Sequence, residues 1–380
     1  MNKISRVLFV TSFDYPSRFA HAIHGLHMAR AYHLLFPGAF LYLVNIVSER
    51  GALTGVPFRS VFGSWGRWVR KMRLRTAALA LYLCYTFLTM AQWRGRSVLV
   101  VTTDPSVGVL LVLLSYIFRF KTAVELHARS EGVRGRILAH ADAVVCVTAA
   151  LEREFKKAFP GAQTLVVPNA VDREAFDAVP DEKDSLRTEL HLPRECVLLG
   201  YVGRLEPRGE EKGTHILIDA LALLPEDHYL VLVGATRAEE ALVKKAIQGT
   251  VVASRVLIVP HVSYHLVPHY MKACDILLYT PAARSAFYTT ETSPMKLFEY
   301  MAAQRPVILS RMPAFMEVID DTMATLIEEV TPEAVAAAVR EVRLNPITAR
   351  GKLERAYAAV KSRTWSVRAE RIVQEVARMV

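Results

Sequence analysis

Short apolar runs rich in β-branched residues alternate with helical patterns along the whole 380-residue chain. Apolar runs that lie between helices indicate parallel strands with both sheet faces covered. The first series of predicted strands comprises Arg6–Ser12, Ala39–Val47, Ser97–Thr102, Thr122–Leu126, Ala143–Val147 and Thr164–Pro168. The second series comprises Val197–Val202, Tyr229–Val233, Val256–Val259, Ile276–Tyr279 and Pro306–Leu309. Two such series predict an α/β protein with two Rossmann-like, doubly wound parallel-sheet domains.

A polar, charge-rich stretch at residues 171–195 separates the two series and is interpreted as the linker between the domains. The first domain is expected over residues 1–178 and the second over residues 195–362, because 380 residues exceed what one ordinary core organises. Ligands of doubly wound sheets bind outside the carboxyl ends of the strands. Two facing domains would therefore form a cleft, and the loops after strands are where a site is expected.

The composition is that of a globular chain with a basic surface. Hydrophobic residues make up 52% and charged residues 22% of the chain, and its net charge is +10, which points to anionic partners. Four scattered cysteines without CxxC spacing argue against disulfides or structural zinc. A cytoplasmic location is expected, because the chain opens on a predicted strand without a signal peptide. No nucleic-acid partner is expected, since no RNP motif, zinc finger or helix-turn-helix is found.

The segment ETSPMKLFEYMAAQRPVI carries two glutamates, Glu291 and Glu299, eight positions apart. Ser293 as N-cap and Pro294 as the first helical residue predict a helix that ends near Ala303. The N–H groups at the start of this helix would bind an anion. The pattern therefore indicates a phosphate site with a hydroxyl-binding carboxylate on either side. The alternative is a solvated loop glutamate and an ordinary helix-surface charge.

A second basic segment, GYVGRLEPRGEEKGTHILIDAL, follows the first predicted strand of the second domain. Arg204 and Lys212 flank its glycine-rich turn, and a helix is predicted to begin near Thr214. Cations beside a helix start suit a diphosphate. Ordinary loop charges are the alternative interpretation.

Together these segments resemble the family 4 glycosyltransferases, which are retaining, nucleotide-sugar-dependent enzymes of the GT-B fold. The resemblance covers most of the chain and is carried by GRLEPRGEEKG, VPHVSYHLVPHYMKACDILLYTP, ETSPMKLFEYMAAQRPVILS, VELHARS and VVPNAVDREAF. The spacing of Glu291 and Glu299, followed by EYMAAQRPV, is its most specific part. The resemblance also implies that the final helix, residues 364–380, packs back on the first domain.

The resemblance implies a role for each matched residue. Arg204 and Lys212 would bind the donor diphosphate and stabilise the charge of the leaving group. Glu299 would hold the ribose hydroxyls, and Glu291 the transferred sugar. His127 would lie against the sugar near the reacting centre, unless it is a structural histidine satisfied by a backbone carbonyl. The implied catalytic residues are His127, Arg204, Lys212 and Glu291. The implied donor-binding residues are Arg204, Lys212, His261, Glu291, Ser293, Pro294, Met295, Lys296, Leu297 and Glu299.

The acceptor side departs from the family pattern. The first loop, TSFDYPSRFAHAIHG, lacks the usual Gly-Gly pair, and Tyr15, Arg18 and His21 would narrow that side of the cleft. The extra residues PRGEE change the reach of Lys212, so Arg208 is an alternative cation there. A glycan or lipid-linked glycan is the expected acceptor, and a UDP- or GDP-linked sugar is the expected donor.

No metal or other cofactor is expected, because no DxD triplet is present to hold a divalent ion on the diphosphate. Two histidine sets have the helical spacing of a possible metal site: His21, His24 and His27, and His261, His265 and His269. Both are interpreted as helix residues and not as ligands, the first set beside the acceptor cleft.

An apolar run from Thr76 to Ala91 would extend about 24 Å as a helix, less than the ~30 Å of a bilayer core. A long buried helix is therefore predicted there. Its basic, tryptophan-containing start, Trp65–Arg75, would rest on anionic lipid as a peripheral membrane contact. A solvated basic helix end is the alternative.

The sequence thus predicts a cytoplasmic, metal-independent, retaining glycosyltransferase for cell-surface polysaccharide or glycoconjugate synthesis. Two alternatives remain open. A sugar-nucleotide epimerase of the GT-B fold would use the same nucleotide site without an acceptor. A non-catalytic sugar-nucleotide or polyanion-binding protein would bind without turnover.

Overall fold

The computed structural model describes most of the chain as two compact units. The described residues are 4–12, 20–43, 56–60, 83–84, 87–88, 93–95, 97–205, 213–281 and 287–379. The first unit comprises Met1–Asn169, Glu291–Ser293 and Trp365–Val380. The second unit comprises Ala170–Thr290 and Pro294–Thr364. This division falls upstream of the sequence-based boundaries at residues 178 and 195.

Within its described residues, the first unit is built on a seven-stranded parallel sheet in the order β3-β2-β1-β4-β5-β6-β7. The strands are β1 (Arg6–Thr11), β2 (Phe40–Leu43), β3 (Phe58–Ser60), β4 (Val98–Thr102), β5 (Lys121–Leu126), β6 (Ala143–Cys146) and β7 (Thr164–Val166). The helices among them are α1 (Ala20–Leu35), α2 (Pro105–Phe118), α3 (Gly132–Leu138) and α4 (Ala149–Ala158). Strand β4 is apolar and fully buried, as expected of a parallel sheet with both faces covered.

Side-chain caps fix where two of these helices begin. Asp104 accepts hydrogen bonds from the N–H groups of Ser106 and Val107 at the start of α2. Thr148 accepts one from Leu151 at the start of α4. Such caps satisfy N–H groups that helical bonding leaves over, so each helix begins directly after the strand that feeds it.

The second unit contains a six-stranded parallel sheet in the order β10-β9-β8-β11-β12-β13 among its described residues. The strands are β8 (Val197–Val202), β9 (His228–Ala235), β10 (Val256–Pro260), β11 (Ile276–Tyr279), β12 (Val307–Ser310) and β13 (Thr325–Ile327). The helices are α5 (Arg173–Asp177), α6 (Lys183–Glu189), α7 (Thr214–Ala222), α8 (Arg237–Ile247), α9 (Val267–Ala273), α10 (Met295–Ala302), α11 (Pro313–Met316), α12 (Pro332–Leu344) and α13 (Pro346–Val360). Strand order reverses between β8 and β11, and such a switch point is where doubly wound sheets bind ligands.

The two parallel sheets confirm the predicted α/β class. Every predicted strand overlaps an observed one, and β8 and β11 have the predicted bounds. Sequence reasoning missed β3 and β13, which have three residues each. Strand β7 is equally short but was predicted, because the longer run Thr164–Pro168 contains it.

The stretch interpreted as a linker, residues 171–195, instead folds as part of the second unit. It contains α5 and α6, and Arg187 of α6 is 3% exposed. The Arg187 guanidinium donates to Asp275 at 2.6 Å and to the carbonyl oxygen of Ala273 at 2.9 Å. Arg187 is the one buried charged residue of this stretch, and the others are partly or fully exposed. The composition therefore resembles that of a solvated linker although the stretch is folded.

The last helix, α14 (Trp365–Met379), belongs to the first unit and packs on α1. Its inner face buries an apolar stripe of Trp365, Ala369, Ile372, Val373 and Val376. No described helix combines the length and apolarity that crossing a bilayer requires. The predicted lipid-contacting segment Trp65–Arg75 lies outside the described residues.

Candidate functional site

In the second unit, α10 is fastened to the switch point by Tyr300. The Tyr300 hydroxyl accepts a hydrogen bond from the N–H of Val202 at 2.9 Å and donates to the carbonyl oxygen of Leu278 at 3.3 Å. Val202 ends β8, and Leu278 lies next to the end of β11. The helix that carries Lys296 and Glu299 is thus docked on the carboxyl ends of both switch-point strands.

The ammonium group of Lys296 lies at this same strand edge. Its Nζ is 3.7 Å from the ring centroid of Tyr201 and 4.6 Å from that of Tyr279. Both contacts are cation–π interactions. Gly203, in the turn after β8, has φ +139°, and a Cβ there would lie 2.6 Å from both Cε and Nζ of Lys296. The glycine therefore leaves the space that the lysine side chain occupies.

Glu299 lies on the second turn of α10 and is buried, so it is not the ordinary helix-surface charge of the alternative interpretation. Glu299 is only 7% exposed, and its Oε1 accepts a hydrogen bond from the Tyr264 hydroxyl at 2.9 Å. Burial raises the pKa of Glu299, while Tyr264 and Lys296 act in the opposite direction. Burial and the nearby Glu299 also raise the pKa of Tyr264. A buried carboxylate of this kind can accept further hydrogen bonds from hydroxyl groups of a ligand.

The start of α10 differs from the prediction by one residue. Pro294 is the N-cap and the helix begins at Met295, so Ser293 is not the cap. The reason is that the Ser293 hydroxyl accepts a hydrogen bond from the N–H of Asn169 at 3.0 Å. The side-chain amide of Asn169 also donates to the carbonyl oxygen of Ser293. Met295 and Lys296 still form the first helical turn, with Leu297 buried behind it.

Among the other predicted donor-binding residues, the structure describes Arg204 and His261 but not Lys212. Arg204 follows β8 and is exposed, and its carbonyl oxygen accepts a hydrogen bond from Tyr201 at 2.8 Å. Lys212 and the alternative cation Arg208 lie outside the described residues. His261 is exposed and follows β10, an edge strand two places from β8 in the sheet.

Glu291 belongs to the first unit, where Arg129 binds its carboxylate. Glu291 is 5% exposed, its Oε1 receives the Arg129 Nε–H, and its Oε2 receives the Arg129 backbone N–H at 3.4 Å. The Arg129 guanidinium also lies 3.5 Å from Glu154. The hydrogen bond to Glu291 raises the pKa of Arg129. A ligand hydroxyl that uses Glu291 would therefore share the carboxylate with Arg129.

His127 follows β5 and is 36% exposed through its side chain. Its Nε2 lies 3.8 Å from Oε2 of Glu125, and its ring meets that of His24 edge to face at 4.8 Å between centroids. Burial lowers the pKa of His127 to about 4, with Arg368 and His21 acting in the same direction and Glu125 against it. The imidazole is thus neutral at physiological pH and can donate one hydrogen bond and accept another.

One histidine-containing group has the spacing of a metal site among the described residues. The donor atoms of His24, Glu125 and His127 lie within 4.8 Å of one another. However, the same Oε2 of Glu125 binds the Arg368 guanidinium at 2.7 Å. Because the positive Arg368 guanidinium is bound to this carboxylate, it would repel a metal cation at the same place. These residues therefore fit a buried ion-pair cluster better than a metal site.

The predicted histidine set of α1 separates in the structure. His21 is exposed, His24 joins the cluster with Glu125, and His27 stacks on Trp365 at 5.3 Å between centroids. Tyr15 and Arg18, the other predicted acceptor-side residues, lie outside the described residues.

Sequence reasoning missed the residues that hold the candidate ligand-binding groups in place. They are Glu125, Arg129, Tyr264 and Arg368. Glu125 and Arg129 had a local signal, since each lies two positions from His127 in the segment VELHARS. Tyr264 and Arg368 act across long separations in the chain, where no spacing pattern connects them with Glu299 and Glu125.

Comparisons with known proteins show what the chain is similar to. Residues 182–360 match the family model described as glycosyl transferases group 1. Two relatives from Bacillus subtilis (strain 168), named for teichuronic acid biosynthesis as glycosyltransferases TuaH and TuaC, are 29% identical over 187 residues and 28% identical over 204 residues. The matches cover 47% and 54% of this chain, and the chain spans 43% and 47% of the lengths of these relatives.

A solved structure establishes the fold over nearly the whole chain. Anabaena HepE in complex with UDP superposes with a TM-score of 0.75 at 20% identity, covering 98% of this chain and 100% of that chain. The predicted GT-B class is thereby confirmed. Residues 182–360 of the chain are thus similar to the group 1 glycosyltransferases.

Proposed function

We propose that the protein is a retaining glycosyltransferase that moves a sugar from a nucleoside-diphosphate sugar to a glycan or lipid-linked acceptor. The observation that carries this proposal is the placement of Lys296, Gly203 and Glu299 at the switch point of the matched domain. A cation, an open backbone turn and a buried hydroxyl acceptor are what a nucleoside diphosphate requires. HepE has been solved with UDP and with UDP-glucose, which supports a uridine donor.

The second unit would bind the nucleoside diphosphate. The N–H groups at the start of α10 would donate hydrogen bonds to the diphosphate, and the Lys296 ammonium, which lies over the Tyr201 and Tyr279 rings, would add a positive charge. Arg204 and Lys212 would add further positive charge. Glu299, held by Tyr264, would accept the ribose hydroxyls. Charge that develops on the leaving diphosphate would be stabilised by groups already in place, usually the largest single catalytic contribution.

The first unit would supply the sugar contacts. Glu291 would accept a hydrogen bond from a hydroxyl of the transferred sugar while Arg129 holds its carboxylate in place. The neutral His127 imidazole would hydrogen bond the sugar near its anomeric carbon. The bond from that carbon to the leaving phosphate would break as the acceptor oxygen bonds on the same face. A departing phosphate oxygen would take the acceptor proton.

The first test is thermal stabilisation by UDP, GDP, ADP and CMP without added metal. A ligand at 100 times its dissociation constant adds roughly 2.7 kcal/mol of stability. One of the three nucleoside diphosphates, UDP first, is expected to stabilise the protein more than the other ligands do. If none of them stabilises the protein, the proposed donor site is wrong.

The Lys296→Met variant locates the diphosphate. It should weaken UDP binding at least about 10-fold, as loss of a charge-assisted contact does, with a smaller effect on UMP. Lys245→Met, an exposed lysine on α8, is the matched control and should bind UDP normally. Equal UDP affinity in the two variants would place the diphosphate elsewhere.

The reaction type is tested by following UDP-glucose alone by NMR. A transferase should release UDP and glucose slowly, and the glucose should first form as the α anomer if the mechanism is retaining. Conversion of UDP-glucose to another nucleotide sugar without acceptor would favour the epimerase. Binding without turnover, even with candidate acceptors, would favour the binding protein.

A further inference from the structure

A buried ion pair joins the C-terminal helix of the first unit to β5, directly behind His127. Nη2 of Arg368 lies 2.7 Å from Oε2 of Glu125, and the two side chains are 2% and 0% exposed. Glu125 is on β5 and Arg368 is on α14, 243 positions later in the chain. An ion pair this deep is expensive to desolvate, and an apolar pair of similar volume is often at least as stable. Stability alone therefore gives little reason for its presence.

Arg368 is held from several sides, so its position does not depend on Glu125. Nε donates to the carbonyl oxygen of Pro168 at 2.9 Å, and Nη2 lies 3.3 Å from that of Val167. Nη1 lies 3.2 Å from the sulfur of Met28 on α1. The guanidinium is thus a fixed positive charge against which the Glu125 carboxylate is oriented.

The Oε2 atom of Glu125 also faces two imidazoles. It lies 3.5 Å from Nε2 of His24 and 3.8 Å from Nε2 of His127. Glu125 is the second-last residue of β5, and His127 follows the strand directly. Nε2 of His127 is buried and has no hydrogen-bond partner among the described residues, whereas the His127 side chain as a whole is 36% exposed. The exposed part of the ring therefore lies away from Nε2.

We propose that Glu125 and Arg368 are positioning residues for His127. The Glu125 carboxylate is the negative group that faces Nε2 of His127 across 3.8 Å, so it favours the neutral ring with its proton on Nε2 and leaves Nδ1 as a hydrogen-bond acceptor for a sugar hydroxyl. Arg368 balances the Glu125 charge, so the imidazole is not drawn into the protonated form, which has no acceptor nitrogen. The inference rests on the proposed function only where it names the sugar hydroxyl.

The charges around His127 agree with this division of roles. Burial lowers its pKa to about 4, Arg368 and His21 act in the same direction, and Glu125 acts against them. His24 is neutral for similar reasons, with burial as the main cause and His27 among the neighbours that contribute. Tyr32, also buried beside Glu125, has a raised pKa and is uncharged. Glu125 and Arg368 are therefore the charged pair that governs this imidazole from the elements packed around it.

The test is NMR of histidine-labelled protein, with the His127 signals assigned by their loss in His127→Gln. In the parent, long-range proton–nitrogen spectra should show Nε2–H, and the ring should stay neutral down to about pH 4. Arg368→Met should raise the pKa of His127 by at least about one unit, because the negative charge of Glu125 then acts on the imidazole without the opposing positive charge of Arg368. The double variant Glu125→Gln, Arg368→Met should return it toward the parent value. Arg371→Met, an exposed arginine of the same helix, should leave it unchanged.

An Nδ1–H tautomer in the parent, or an unchanged His127 pKa in Arg368→Met, would overturn the proposal. If Arg368→Met does not fold, Glu125→Gln alone still decides it, since that variant should lose the preference for Nε2–H.

Once an acceptor is known, Glu125→Gln and Arg368→Met should lower kcat about 10- to 100-fold, as loss of a group that orients a working histidine does, with KM for the donor changed less than 3-fold. The NMR readout needs no substrate. A failure of the proposed transferase activity would therefore leave the positioning result intact, and the converse also holds.

Discussion

At the scale of single residues, Gly203 combines a backbone requirement with a side-chain requirement. Its φ of +139° is a conformation that L side chains rarely adopt, and a Cβ would lie 2.6 Å from the Lys296 ammonium. Gly203→Ala should lower the free energy of unfolding by about 1–3 kcal/mol through backbone strain. It should also raise the Kd for UDP at least about 10-fold by displacing Lys296, as measured by calorimetry.

Gly249→Ala is the matched control for this prediction. Gly249 also has a positive φ, +77°, but a Cβ there meets nothing within 4 Å. The control should therefore lose stability and keep its affinity for UDP. Equal UDP affinities in the two alanine variants would mean that the space beside Lys296 does not matter for binding.

Glu291 and Glu154 both contact Arg129 but differ in burial. Comparing variants of the two therefore tests whether Glu291 has a role in sugar transfer beyond its ion pair with Arg129. Both carboxylates contact Arg129, yet the side chain of Glu291 is 6% exposed and that of Glu154 is 46% exposed. Glu291→Gln should reduce sugar transfer about 10-fold or more, because a buried charged acceptor is lost. Glu154→Gln should change transfer less than about 2-fold, since exposed pairs contribute little. Near-normal transfer by Glu291→Gln would remove Glu291 from the sugar site.

The contribution of Glu299 to the free energy of unfolding should decrease as the pH rises. Burial raises its pKa above the ordinary value of 4.5 in the folded protein, so the folded state holds this proton more tightly than the unfolded chain. Its contribution to stability is then full below pH 4.5 and is lost as the pH rises through the folded pKa. Glu299→Gln should gain free energy of unfolding relative to the parent over that rise, measured by urea unfolding from pH 4 to 8. A difference that does not vary with pH would contradict the raised pKa.

At the scale of elements, residues 171–195 are not a linker because α6 is hydrogen bonded to Asp275, the residue directly before β11. Asp275 receives hydrogen bonds from Lys183, from Arg187 at 2.6 Å and from the N–H of Leu198 at 2.8 Å. Burial raises the pKa of Asp275, but these hydrogen bonds outweigh it and hold the pKa below 3.8. The stabilisation is therefore present above pH 3.8 and is lost as the pH falls through the folded pKa.

Asp275→Asn should lower the free energy of unfolding by about 3 kcal/mol at pH 7, because it leaves buried Arg187 without its counter-charge. The deficit should shrink below pH 3.8, where the parent also loses the charge. Asp184→Asn, an exposed change on α6, should be close to neutral. A neutral Asp275→Asn would support the linker interpretation after all.

The elements also show what a sequence can reveal and why the rest stays hidden. Strands such as β8 were predictable because a two-sided sheet requires a continuous apolar run, and the Glu291 and Glu299 spacing was recognisable because both lie on one local segment. Three-residue strands such as β13 have no period to read. Partners such as Arg368 for Glu125 are set by tertiary packing, and an arginine in an amphipathic helix reads as a surface residue.

At the scale of the whole molecule, the chain returns to its first unit at the end. Helix α14 buries five apolar residues and the counter-charge of Glu125. Each fully buried large apolar side chain contributes about 1.5–3 kcal/mol, so their sum is comparable to the 5–15 kcal/mol that a folded domain typically has. A chain that ends after Thr364 should therefore lose the first unit's native state, even though α14 lies far from the first unit's other elements in sequence.

Hydrogen exchange measured by mass spectrometry tests this unit by unit. In the chain that ends after Thr364, the strands β1, β4 and β5 should lose protection. The second unit keeps its own sheet and its own core, so β8, β9 and β11 should stay protected. A chain that ends after Ala377 loses only the end of α14 and should match the parent. Full protection of β1, β4 and β5 without α14 would mean that the first unit is stable through its remaining contacts, and that α14 acts on Glu125 and His127 alone.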